Sequence, residues 1–146
     1  MKRVLYLTFV ALLAFATLGW TDQSIPAYHP APPPRGAKLP PILPADALWG
    51  PEFQYPYQTH AYELAAKIPN VLYQQPCYCH CDRSAGHKSL RSCFEDTHGA
   101  ECGTCLRELY YTYRQTKAGK TPAQIRAGII KGEWEKIDLQ AAASMQ

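Results

Sequence analysis

The sequence predicts a mainly α protein: a small cysteine-rich helical domain behind an export signal and a proline-rich linker. Three observations carry that prediction. Apolar residues recur at helical spacing in successive windows between about residues 57 and 139. Sustained β alternation is missing, with Val71-Leu72-Tyr73 the one short candidate. Ten of the 13 prolines fall between Pro26 and Pro56, ahead of all the helical windows.

The N-terminal elements come first. Met1-Lys2-Arg3 is a basic start, and the run from Val4 to Trp20 carries no charge. That order is the pattern of a secretory signal, and Ala14-Phe15-Ala16 offers small residues for cleavage after residue 16. The alternative is an uncleaved anchor to about residue 20, because the run reaches the lower length limit for spanning a bilayer. A membrane is a partner only in that case. Residues 17–56 read as a linker, since proline fixes φ and lacks a donor N–H, which favours extended geometry and a semi-rigid spacer. Trp49, Phe53, Tyr55 and Tyr57 suggest that its distal end lies against the domain.

The domain is expected over residues 57–139, with 140–146 as a disordered tail. Ala61, Leu64, Ala65 and Ile68 mark an amphipathic helix that stops before Pro69-Asn70. Leu90, Cys93 and Phe94 mark one face of a short second helix. From about Ala100 to Arg114 the inward face is Cys102, Cys105, Leu106, Leu109 and Tyr113, and Gly119 ends the helix. Thr121-Pro122-Ala123-Gln124 puts Thr at the N-cap, Pro at N1 and Gln at N3, a capping box. Ile125, Ile129, Ile130, Trp134 and Ile137 then supply an apolar stripe. A domain of some 80 residues has a marginal core, so a covalent or metal staple is expected.

Charge narrows the function. The formal net charge is +3, but Lys2 and Arg3 lie in the leader, leaving 13 Lys and Arg against 12 Asp and Glu. No basic stripe remains, which argues against nucleic acid as a partner. Motifs for a serine nucleophile elbow, a zinc protease, a phosphate loop and covalent haem attachment are all missing. The carboxylates Glu95, Asp96, Glu101 and Glu108 read as ordinary helix-surface charges.

Chemistry concentrates in Cys77, Cys79, Cys81, Cys93, Cys102 and Cys105, all the cysteines of the chain. Three readings compete. Exported cysteines can form disulfides, and three bridges would make a stapled binding module. Alternatively, Cys77, Cys79 and Cys81 alternate at period two, so an extended backbone would throw their sulfurs to one side. Cys102 and Cys105 stand three apart at a helix start, where free N–H groups favour thiolate. Thiolates select soft or borderline ions such as Cu(I) and Zn²⁺. Four of the six complete a tetrahedral site and all six can hold a small cluster. His80, His87 and His98 lie in the same segment, and His80, between two cysteines, is the best placed to replace a sulfur. The third reading is thiol–disulfide redox catalysis or sensing, with Cys102 and Cys105 as the dithiol, although the βαβ context of thioredoxin is missing.

Pro76-Cys77-Tyr78-Cys79-His80-Cys81 resembles the PCYCGC-motif proteins, also called the CYCXC family. The likeness continues through Gly86-His87-Lys88-Ser89-Leu90, Cys93-Phe94, His98 and Cys102 with Cys105, and reaches Ile125-Arg126. The resemblance implies an exported bacterial protein, often a lipoprotein. Some relatives look like selenoproteins, which implies a redox-active or metal-ligating role for the chalcogen over inert bridges. Here His80 stands where the motif has glycine, and no cysteine near the leader is available for a lipid. The reading that follows is binding of a thiophilic transition metal, Zn²⁺ or Cu(I), through the six cysteines with His80 as an added candidate. Its role is to handle or store the ion or to use it as a clamp, with a redox or metal-transfer protein as partner.

Overall fold

The computed structural model describes residues 25–145. The expected signal and its cleavage point lie outside the described residues.

Seven short helices carry the domain. They are α1 (Pro56–Lys67), α2 (Pro69–Leu72), α3 (Cys81–Ser84), α4 (His98–Glu101), α5 (Gly103–Lys117), α6 (Pro122–Ile130) and α7 (Leu139–Ala142). Two 3₁₀ turns in the domain, Leu90–Phe94 and Glu133–Lys136, complete its framework. No strand forms among the described residues; of the candidate Val71-Leu72-Tyr73, Val71 and Leu72 lie in α2 and Tyr73 is its C-cap. No helix among them is long and apolar enough to cross a membrane.

The first helix runs as its apolar spacing dictates. Ala61, Leu64 and Ala65 are buried, and Pro69 starts a new turn because its ring cannot continue α1. α1 packs on α5, whose buried face is Cys105, Leu106, Leu109, Tyr110 and Tyr113. The third expected helix divides at Cys102, which is extended (φ −113°, ψ 108°) and serves as the N-cap of α5. Gly119, at φ +79°, ends α5 in the left-handed geometry that glycine adopts without strain.

The capping box forms at α6: the Gln124 N–H donates to Thr121 Oγ1 at 3.3 Å, and the Thr121 N–H to Gln124 Oε1 at 2.9 Å. The apolar stripe beyond it is not one helix. Gly132 takes φ +73° and breaks the chain into a 3₁₀ turn, so Ile125 and Ile129 are buried while Ile130 is exposed. Trp134 returns to the core side and donates its indole N–H to Ile129 O at 3.2 Å.

Both flanks dock on the domain. The expected tail begins with α7, capped by Asp138, and Ala142 is buried. The proline-rich segment is strapped down rather than standing clear. The His29 N–H donates to Tyr73 O, the Leu43 N–H to Phe94 O, and Arg91 Nη2 to Pro40 O at 2.6 Å. His29 stacks on Tyr73 at 3.8 Å, and Arg126 lies over the Tyr28 ring at 4.6 Å. Phe53 packs edge-on against Tyr62, whereas Trp49 stays 76 % exposed and does not join the core.

Candidate metal centre

The CxCxC segment folds as a turn, not as the extended edge its spacing suggested. The His80 N–H donates to Cys77 O at 3.1 Å, closing a reverse turn through Tyr78 and Cys79. His80 then takes φ 57°, ψ 29°, the one non-glycine residue with positive φ among the described residues. Cys81 opens α3. The left-handed position is the fifth of the motif, which explains a glycine there: an L side chain costs about 1–2 kcal/mol in that region.

A buried carboxylate helps to hold this turn. Glu108 is fully buried on α5, and its Oε1 accepts the Tyr78 N–H at 2.8 Å. It is not a surface charge. Burial pushes its carboxyl up to about 8, against the opposing pull of hydrogen bonds from Cys77 and the Tyr78 N–H. The other carboxylates are local: Glu95 pairs with Arg91, and Asp96 Oδ1 accepts the His98 N–H at 2.8 Å.

The opposite wall is the α4 turn, anchored from α1. The Tyr62 hydroxyl donates to Asp96 O at 2.6 Å and accepts the Ala100 N–H at 3.1 Å, while Gln58 Nε2 donates to Ala100 O at 2.8 Å. Gln58 Oε1 also accepts the Tyr55 N–H that starts α1. These bonds fix His98 and Cys102 relative to the core.

The turn, α3, the 3₁₀ turn Leu90–Phe94 and the start of α5 bring all six cysteines together as free thiols. Sγ separations are 3.3 Å for Cys77–Cys79, 3.4 Å for Cys77–Cys105, 3.4 Å for Cys81–Cys93 and 3.6 Å for Cys79–Cys105. A disulfide needs about 2.05 Å, so these are not bonds. Tetrahedral geometry with Zn–S of about 2.3 Å puts ligand sulfurs about 3.8 Å apart, a small expansion from the observed contacts.

Three donor groups have atoms mutually within 4.8 Å and can hold a metal ion: Cys77, Cys79, Cys93 and Cys105; Cys79, Cys81, Cys93 and His98; and Cys79, His98, Cys102 and Cys105. The histidine brought in is His98, with Nε2 at 3.8 Å from Cys79 Sγ. His80 belongs to none of the groups. Being adjacent in sequence to two donors, it is turned away by its own left-handed backbone and meets Tyr78 edge-on. His87 does reach the rim, with Nδ1 at 3.4 Å from Cys93 Sγ and its ring edge-on to His98. Beside it opens a cavity of about 540 Å³ whose walls include His29, Tyr73, His87, Arg91 and Asp96.

The thiols share protons unevenly. Hydrogen bonds with Cys102, then Cys105 and Cys77, hold Cys79 well below the ordinary thiol range, and bonds with Cys105 and Cys77 do the same for Cys93. The counterpart is a rise at Cys77, led by its bond with Cys105, and at Cys105, led by its bond with Cys102. Contact with Cys93 also raises the His87 imidazole.

A family model described as a protein of unknown function with a PCYCGC motif matches residues 51–136, which span the turn, α4, α5 and α6. No curated protein and no solved structure matches the chain. With the motif, the downstream cysteines and most of the chain's length inside that match, the chain belongs to the PCYCGC-motif family.

Proposed function

We propose that the protein is an exported binder of a thiophilic transition metal, Zn²⁺ or Cu(I), held within the cluster of Cys77, Cys79, Cys81, Cys93, Cys102 and Cys105 with His98. The observation that carries the reading is the convergence of overlapping four-donor groups at non-bonded sulfur separations of 3.3–3.6 Å. A core of this size gains from such a staple, because binding energy at a site formed only on folding is folding energy. The export element rests on the leader pattern of residues 1–16. The ion is handled, stored or used as a clamp.

The dithiol alternative has less support. Cys105 is fully buried and lies against Cys77 and Cys79, so Cys102 and Cys105 do not stand apart as an accessible pair. Metal analysis of anaerobically purified protein, with a free-thiol count on the same sample, tests the reading. Stoichiometric Zn or Cu with little disulfide is expected. Three stable bridges without metal, or a readily reducible Cys102–Cys105 pair without metal, would sink it.

A further inference from the structure

The three donor groups are not independent. Cys79 is common to all of them. The first and second also share Cys93, the first and third share Cys105, and the second and third share His98. This sharing decides which groups fill together. A thiolate sulfur has lone pairs enough to bridge two ions, whereas an imidazole nitrogen has a single in-plane pair and serves one. The second and third groups both need His98 Nε2, so they exclude each other. The first group has no such conflict with the second.

Filled together, the first two groups give each ion four ligands from six donors, with Cys79 and Cys93 counted twice. Cys102 is then the cysteine left out. Choosing the third group would instead strand Cys81, which is buried, while Cys102 is half-exposed at the α5 N-cap and tolerates being free. Burial therefore favours the first choice.

Resting on the metal reading above, we propose that the centre is binuclear for tetrahedral divalent ions. One ion sits in Cys77, Cys79, Cys93 and Cys105, and the second in Cys79, Cys81, Cys93 and His98, with Cys79 and Cys93 as bridges. Loading releases the protons of the five thiols to solvent as their sulfurs take up the ions. His98 binds as the neutral imidazole.

Zn²⁺ titration of the reduced full chain by native mass spectrometry, with alkylation of the saturated protein and ¹¹³Cd NMR of the Cd²⁺ form, tests this. Two ions per chain are expected, with alkylation at Cys102 alone and two ¹¹³Cd signals coupled through sulfur. Cys102→Ser keeps both ions, Cys81→Ser keeps one, and Cys79→Ser, which takes a ligand from both ions, falls below two. Saturation at one ion overturns the binuclear centre and leaves metal binding standing. Two uncoupled ¹¹³Cd signals, or alkylation at Cys81 in place of Cys102, overturn the bridging assignment. No bound ion at all overturns metal binding itself.

Discussion

Gly99 offers a sharp test of how rigidly the centre is held. It lies in α4 between His98 and Ala100, under the turn that carries Cys93 and Phe94. A Cβ added there would stand 2.6 Å from Cys93 O and 2.9 Å from Phe94 Cδ1 and Cε1. Ordinary heavy-atom contacts begin near 3.5 Å, so Gly99→Ala requires a displacement of about 1 Å. Phe94 cannot absorb it freely, being fully buried with its ring edge-on to Tyr62 at 5.1 Å. Two effects then compete. Alanine gains about 0.4–1 kcal/mol by restricting the unfolded chain, and overpacking costs about 1–3 kcal/mol. The steric cost wins, for a net loss of about 1–2 kcal/mol. The displaced atom is the backbone of Cys93, whose sulfur in the proposed centre must meet a metal within about 0.2 Å, so affinity is expected to fall too. Urea unfolding gives the stability, and Zn²⁺ competition against a chromophoric chelator gives the affinity, with a loss of about 5–30-fold expected if the same 1–2 kcal/mol is lost on binding. A variant as stable as its parent and equally tight for Zn²⁺ would refute the claim that α4 and the Cys93 turn are locked together.

Three further outcomes are expected. In reduced, chelator-treated protein, Glu108→Gln should gain on the parent as pH rises: the folded carboxyl sits near 8 against an ordinary 4.5, so the parent binds more protons folded and loses stability between those values. At pH 7 that loss is about 3 kcal/mol, and a variant-minus-parent difference that stays flat from pH 5 to pH 7 contradicts it. His80→Gly should raise the unfolding free energy from urea titration by about 1 kcal/mol, since it relieves a left-handed side chain and removes a buried, unpartnered Nδ1. It should leave the metal stoichiometry intact, and loss of an ion would make His80 a ligand after all. Thr121→Ala removes the α6 cap and should lower stability by about 1 kcal/mol, read as a fall of ~4–8 °C in the unfolding midpoint. An unchanged midpoint would mean that α6 does not depend on its cap.

Local signals were readable wherever one residue and its near neighbours decide the outcome. Thr121 and Gln124 cap α6 because the box is complete within four residues, and α1 ends at Pro69 because proline forbids more. The centre needed information that spacing does not hold. Alternating cysteines fit an extended strand and a tight turn equally well, and the useful clue was the motif's glycine position, occupied here by His80 at positive φ. His98 enters by a route through Tyr62 and Gln58 of α1, which no local pattern announces. Glu108 did leave a trace: it follows Cys105 by three residues, on the face that the cysteines had already marked as inward. Docking of the proline-rich strap rests on backbone bonds to Tyr73 and Phe94 and on ring stacking, features that composition does not reveal.

The strap has a bearing on kinship as well as on packing. His29, Leu39 and Pro40 help to wall the cavity that meets the centre at His87, yet all three precede residue 51, where the family match begins. All the donors lie inside the matched range, while part of the cavity wall belongs to a stretch outside it. Two relatives can therefore keep the same sulfur chemistry and differ in what reaches it, diverging by exchange of a surface segment without disturbing a single ligand.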